Sequence, residues 1–154
     1  MACCAPMLRA TEPWTALFAP TEAEGEMIGR ELRVVYKSGE PLLALPGSTR
    51  AALACLSLYP AQTARARLAR SLLRFLIQSR LRPGMQRKQL KLSRRAPFTK
   101  FLSAVAGEAG NMVPEFGILA GNPRSSGQRF MLLICSKNGQ PSAVVKAGMS
   151  KDAR

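Results

Sequence analysis

Residues 129–135 read RFMLLIC, and they are followed by SKNGQP at 136–141 and SAVVKAG at 142–148. The first segment is apolar at consecutive positions, which is typical of a strand that is covered on both faces of its sheet. Asn138-Gly139 is the strongest short signal for a β-hairpin, because both residues tolerate positive φ. We therefore predict that 129–135 is the middle strand of an antiparallel meander.

The other two strands of this meander flank the middle one. Residues 116–120 form a β-rich run, and a polar connection with glycine at both ends, 121–127, separates this run from the middle strand. Residues 143–147 form the returning strand of the hairpin. The segment 108–154 is thus predicted to be a three-stranded antiparallel meander.

The order of elements over 116–154 resembles part of a kinase-like N-lobe, as found in the aminoglycoside phosphotransferase/choline kinase-like superfamily. Residues 143–146 read AVVK, which is similar to the V-A-I-K strand whose lysine pairs the α- and β-phosphates of ATP. The resemblance implies that Lys146 binds these phosphates and that backbone N–H groups of the 121–127 loop cover them. The nucleotide-binding residues that it implies are Gly121, Asn122, Ser125, Ser126, Gly127 and Lys146.

The resemblance covers the N-lobe only. Ser150 resembles a helix N-cap, and the sequence ends at Arg154, in the first turn of that helix. The catalytic loop and the metal-binding Asp of such enzymes are missing, so we expect a truncated N-lobe that binds ATP weakly at most and has no catalytic residues and no metal site. In full-length form it would be an ATP-dependent small-molecule phosphotransferase, and the missing partner would be the C-terminal lobe.

Positive charge is concentrated in the middle of the chain. The sequence has 23 Lys and Arg against 9 Asp and Glu, for a net charge of +14. Between Pro41 and Gly107 there are thirteen basic residues and no acidic residue. A block of one sign raises the local potential, so it favours polyanionic partners.

A basic amphipathic helix is predicted over 61–81, followed by a polar linker over 85–96. The predicted apolar face of the helix comprises Leu68, Leu72, Phe75 and Leu76. The predicted anion-binding surface comprises Arg67, Arg70, Arg74, Arg94 and Arg95. Such a stripe is either a solvated helix face or a binding surface. The alternative function is therefore a basic module that binds nucleic acid or an anionic membrane surface through residues 61–100.

The predicted fold class is α+β. Residues 1–20 are predicted to be a flexible N-terminal arm, and 21–107 a basic, mainly helical region with an early hairpin. This region is expected to begin with a helix over 22–29, and the hairpin is expected to span 32–46. A further helix capped by Ser48 and a short one at 98–105 complete the region.

Several classes of function are excluded by composition. The sequence contains no histidine, so His-based catalysis and His-containing metal sites are ruled out within this chain. The four cysteines form no C-x-x-C pair and are predicted to be reduced, with Cys55 and Cys135 buried. No apolar run reaches the roughly 18 residues of a membrane span. We therefore expect a soluble, cytoplasmic protein.

Overall fold

The computed structural model describes residues 13–18, 27–81, 84–107, 112–121 and 129–148. The strands are β1 (Met27–Lys37), β2 (Glu40–Pro46), β3 (Gln86–Ser93), β4 (Glu115–Ala120), β5 (Arg129–Cys135) and β6 (Pro141–Gly148). The α-helices are α1 (Thr49–Cys55), α2 (Ala64–Gln78) and α3 (Pro97–Val105), and 3-10 helices span Pro13–Phe18 and Leu56–Leu58. The predicted α+β class is confirmed.

The six strands form one antiparallel sheet in the order β3-β1-β2-β4-β5-β6. The predicted early hairpin is β1–β2, and its turn holds Ser38 and Gly39 at φ 53° and 82°. Positive φ at both central residues gives the two-residue turn whose twist matches that of the flanking strands. Strand β2 then joins this hairpin to the C-terminal strands, because Leu43 pairs with Leu119 of β4.

The sheet corrects two predictions, the mainly helical middle region and the separate three-stranded meander. Residues 85–96, predicted to be a linker, contain β3, which pairs with β1 along its whole length. Leu90 and Leu92 of β3 are buried, whereas Lys91 between them is exposed. Leu90 and Leu92 hold this edge strand against the core, while Arg87 and Lys91 are exposed to solvent. Strands β4, β5 and β6 are thus half of a larger sheet.

The start of β1 corrects the helix predicted over 22–29. Met27, Ile28 and Gly29 are strand residues that pair with the C-terminal half of β3. Residues 22–26 lie outside the described residues. Pairing with β3 supplies the backbone hydrogen bonds of this part of β1, so the tertiary partner overrides a weak local preference for helix.

The first face of the sheet, from which Phe116 and Phe130 project, carries the larger apolar core. The 3-10 helix Pro13–Phe18 and α3 cover it. Trp14 and Phe18 are each only 1% exposed, and the Trp14 ring meets that of Phe130 edge to face, with 6.5 Å between the centroids. Large aromatic side chains dominate the energetics of such a core. This part of the predicted N-terminal arm therefore packs against the sheet.

The second face of the sheet, from which Leu43 and Leu133 project, carries α1, and α2 packs outside α1. The hydroxyl of Ser48 accepts a hydrogen bond from the N–H of Ala51 at 3.4 Å, so the predicted cap of this helix is confirmed. Gly117 of β4 allows α1 to approach closely, because a Cβ at that position would lie 2.6 Å from the Cβ of Cys55.

The other predicted helices are also present. The helix predicted over 61–81 is α2, which begins after the N-cap Thr63, and the helix predicted over 98–105 is α3. None of the helices within the described ranges combines the length and the apolarity that crossing a bilayer requires. The start of a helix predicted at Ser150 lies outside the described residues.

Candidate functional site

Lys146 lies in β6, the edge strand next to β5. Lys146 pairs with Met131 of β5. Met131 pairs in turn with Leu119 of β4, and Leu119 pairs with Leu43 of β2. Residues that pair directly across antiparallel strands project from the same face. Leu43 and Leu119 belong to the cluster beneath α1, the apolar side chains between α1 and the second face, which include Cys55 and Leu133. Lys146 therefore projects from the second face, and its side chain is exposed.

An apolar floor, which we define as Leu119, Met131 and Val144, lies beside Lys146. Val144 is two residues before Lys146, so it projects from the same face, and it is 55% exposed. Its partner Leu133 is only 5% exposed, because it belongs to the cluster beneath α1. Helix α1 thus covers one end of the second face, and the apolar side chains near Lys146 remain accessible.

The connection predicted to cover nucleotide phosphates leaves the sheet at the end where Lys146 lies. The N–H of Gly121 donates a hydrogen bond to the carbonyl oxygen of Arg129 at 2.8 Å. Arg129 lies two residues before Met131, the partner of Lys146. A Cβ on Gly121 would lie 2.2 Å from that oxygen, so the close approach requires glycine. The remaining predicted residues of this connection lie outside the described residues: Asn122, Ser125, Ser126 and Gly127.

The ammonium group of Lys146 forms no ion pair with another described residue. Elsewhere in the sheet, Glu31 of β1 neutralises Arg33 at 3.0 Å and also contacts Arg87 of β3. No cluster of three or more Cys, Asp or Glu side chains suitable for a metal occurs in the part of the chain that the structure describes. The positive charge of Lys146 is thus free to attract an external anion.

The predicted anion-binding surface lies on two separate elements. Arg67, Arg70 and Arg74 are exposed along one side of α2. Arg94 and Arg95 are exposed in the turn that follows β3. The eight residues of β3 lie between this turn and the segment that follows α2. The guanidinium groups of α2 can therefore act together, while those of the turn belong to another part of the surface.

Helix α2 packs on the protein through residues outside its predicted apolar face. Ile77 is 1% exposed, and Leu73, one turn earlier, is partly buried in the cluster beneath α1. In contrast, Leu68, Leu72 and Phe75 of the predicted apolar face are all exposed. The i, i+4 spacing of Leu73 and Ile77 is a signal in the sequence, but the longer apolar stripe on the other side obscured it.

A cleft of about 190 Å³ opens where β2 ends, at the opposite end of β4 from Gly121, and it was not predicted. It is lined by residues 29–32 of β1, by Pro46 and Gly47, and by residues 114–116. The Arg30 guanidinium donates a hydrogen bond to the carbonyl oxygen of Val113, and the buried Nε of Arg30 has no hydrogen-bond partner among the described residues. The volume is smaller than the roughly 300–1,000 Å³ of a typical ligand pocket.

Comparison of the chain with protein-family models found no match, and searches of curated proteins and of solved structures also found none. The kinase-like resemblance therefore rests on the residues themselves. Of these, the structure describes Lys146 and Gly121 and brings them to the same end of the sheet.

Proposed function

We propose that the Lys146 end of the second face is half of a nucleotide-phosphate site of the kinase-like type, with at most weak affinity for ATP. One observation supports this proposal. Lys146, the apolar floor and Gly121, where the 121–127 connection begins, all lie at one end of one sheet. An apolar surface next to a cation suits a ligand that has a flat base and an anionic tail.

Lys146 would bind the phosphates. Its ammonium group is exposed and presents three donors on a flexible stem, so it can follow a mobile phosphate chain. A single pair of charges about 4 Å apart in water contributes only about 1 kcal/mol. Backbone N–H groups of the 121–127 connection, as the resemblance implies, would add donors to the same phosphates.

The apolar floor would bind the base. Val144 is the most exposed of its three side chains, since Leu119 and Met131 are partly buried. A base that covers about 100 Å² of this surface would gain roughly 2.5 kcal/mol. Together with the charge interaction, this gain corresponds to a dissociation constant in the millimolar range. These magnitudes support weak binding and give no reason to expect tight binding.

We propose binding without phosphoryl transfer. Transfer needs carboxylates that hold Mg²⁺ and a residue that positions the nucleophile, and we assign both to a second lobe. In that arrangement the described sheet would supply one wall of the ATP site and the second lobe the other. The cytoplasmic location expected from the sequence would make ATP accessible to such a site.

A titration with millimolar ATP, followed by amide chemical shifts in nuclear magnetic resonance spectra, tests the proposal. We expect saturable shifts in β5 and β6 that Lys146→Met abolishes. Lys137→Met is the matched control, because Lys137 is exposed in the β5–β6 turn and its loss changes the net charge equally. Equal responses of the two variants would show that the positive charge of the protein attracts ATP non-specifically. No saturable shift in these strands would show that ATP does not bind at this site.

A further inference from the structure

Half of the large apolar side chains that are exposed among the described residues lie on α2 or just after it. They are Leu68, Leu72, Phe75 and Leu81, with exposed fractions of 72%, 56%, 60% and 59%. At about 100° per residue, the three on the helix fall within an arc of about 60°. We call Leu68, Leu72 and Phe75 the outer stripe. Scattered exposed leucines are ordinary, but a contiguous apolar stripe marks an interaction surface.

The outer stripe cannot be buried by turning α2 about its axis. Leu73 and Ile77 anchor the opposite side of the helix in the cluster beneath α1. The hydroxyl of Thr63 accepts a hydrogen bond from the N–H of Ala66 at 3.2 Å, which fixes the first turn. Rotation would expose Ile77 in place of the outer stripe, so the described residues leave the stripe uncovered in either orientation.

Positive charges border the outer stripe on both sides. On the helical wheel, Arg65 lies on one side of the stripe, and Arg67 and Arg74 lie on the other. All three side chains are exposed. The chain has no acidic residue between Pro41 and Gly107, so no carboxylate of α2 or its neighbours in sequence offsets these charges.

We infer that the outer stripe docks on the surface of an anionic lipid bilayer, with α2 lying in the plane of the interface. Helices that bind in this way place apolar residues at the acyl boundary and Lys or Arg at the headgroups. The outer stripe would enter the interface, and the flanking arginines would extend their apolar stems over it and place their guanidinium groups among lipid phosphates. The helix would lie on the membrane and not span it.

The charges and the apolar side chains of α2 favour an anionic bilayer over a second copy of the chain and over nucleic acid. If two copies packed stripe against stripe, the flanking arginines of both would lie side by side with no acidic residue to pair them. Nucleic acid would satisfy the arginines but leave the leucines uncovered, and Phe75 is the sole aromatic residue of α2 on which a base could stack. An anionic bilayer satisfies the apolar stripe and the charges together.

Flotation of the full chain with vesicles tests this inference. We expect binding to phosphatidylcholine vesicles that contain about 30% phosphatidylserine, no binding to phosphatidylcholine alone, and weaker binding as NaCl rises from about 50 to about 300 mM. The variant Leu72→Gln/Phe75→Gln should lower the affinity about tenfold or more. The variant Arg67→Gln/Arg74→Gln should lower it and flatten the salt dependence.

Two matched controls isolate the proposed surface. Phe101→Gln removes an exposed aromatic side chain from α3, on the other face of the sheet. Lys37→Gln/Lys137→Gln removes two exposed charges, one at the end of β1 and one in the β5–β6 turn. Both should bind anionic vesicles like the wild type. Equal losses in the control and stripe variants would overturn the inference, as would failure to bind anionic vesicles. Circular dichroism establishes that each variant is folded.

Two further outcomes would replace the lipid by another partner. If vesicles do not bind but an RNA oligonucleotide does, and only the arginine variant loses it, the surface binds nucleic acid. If vesicles do not bind and the chain dimerises through residues that Leu72→Gln/Phe75→Gln removes, the partner is a second copy. ATP is absent from all these experiments, so their result is independent of the proposed nucleotide site.

Discussion

The Sγ of Cys55 on α1 lies 3.7 Å from the Sγ of Cys135 on β5, and both residues are fully buried. Both are free thiols, as the sequence predicted. The hydrogen bond to Cys135 and burial raise the pKa of Cys55, and the same hydrogen bond lowers the pKa of Cys135. The pair therefore releases its first proton from Cys135 and retains the second on Cys55.

We predict that alkaline pH destabilises the protein through Cys55. In the unfolded chain its thiol has its ordinary pKa of 9.0, whereas in the folded protein it keeps its proton. Its contribution to stability is therefore fully present below about pH 9 and is lost as the pH rises above that value. The lowered pKa of Cys135 has the opposite effect, because its contribution is present above about pH 9 and is lost as the pH falls. The free energy of unfolding should fall by about 1 kcal/mol between about pH 9 and about pH 10.5.

Urea denaturation with a reductant at several pH values measures this loss. The variant Cys55→Ala/Cys135→Ala is the control, because it keeps every other titrating group. Its free energy of unfolding should depend less steeply on pH above about 9. Parallel pH profiles for the wild type and the variant would mean that these thiols do not carry the effect.

Gly117→Ala should destabilise the contact between α1 and the sheet. The added Cβ would lie 2.6 Å from the Cβ of Cys55, and both atoms are held by rigid backbone. We expect the free energy of unfolding in urea to fall by about 1–3 kcal/mol. In the control Gly29→Ala, the nearest atom to the new methyl group is the side-chain Oε1 of Gln89 at 3.7 Å, so no loss is expected. Similar losses in both variants would contradict a specific clash at Gly117.

Trp14→Ala should show that the segment before the sheet belongs to the core. Removing a fully buried Trp leaves a large cavity, so the free energy of unfolding should fall by about 3–5 kcal/mol. Trp14→Phe keeps part of the contact with Phe130 and should lose less. Phe101→Ala is the control: it removes a 47% exposed ring that stacks on Phe98 and should lose less than Trp14→Ala. Urea unfolding followed by circular dichroism measures all three, and a negligible loss for Trp14→Ala would remove this segment from the core.

Val144→Asn should separate the two halves of the proposed nucleotide site. It replaces an exposed apolar side chain with an amide, so ATP should bind several-fold more weakly while inorganic tripolyphosphate binds unchanged. Val144→Ile keeps the floor apolar and should bind both ligands like the wild type. Titrations followed by amide chemical shifts distinguish these outcomes. Equal weakening of both ligands by Val144→Asn would argue against a base on the floor.

Of the proposed nucleotide site, the sequence supplied the residue types and the tertiary structure supplied their placement. Alternation along β6 requires Val144 and Lys146 to share a face, and this could be predicted. That Met131 and Leu119 lie beside them follows only from the pairing of three strands. The cleft near Arg30 was not predictable, because it arises where β2 ends between β1 and β4.

The sequence alone determined the elements whose signals are local. The turn after Lys37, the Asn138-Gly139 turn and the caps at Ser48 and Thr63 depend on residues that are close in the chain. Only the tertiary structure decided that β3 is a strand and which side of α2 is buried. Backbone groups of β3 need β1 as their partner, and α2 lies against α1 through Ile77. The formation of β3 and the burial of one side of α2 both depend on surfaces that are distant in sequence, so no local pattern predicts them.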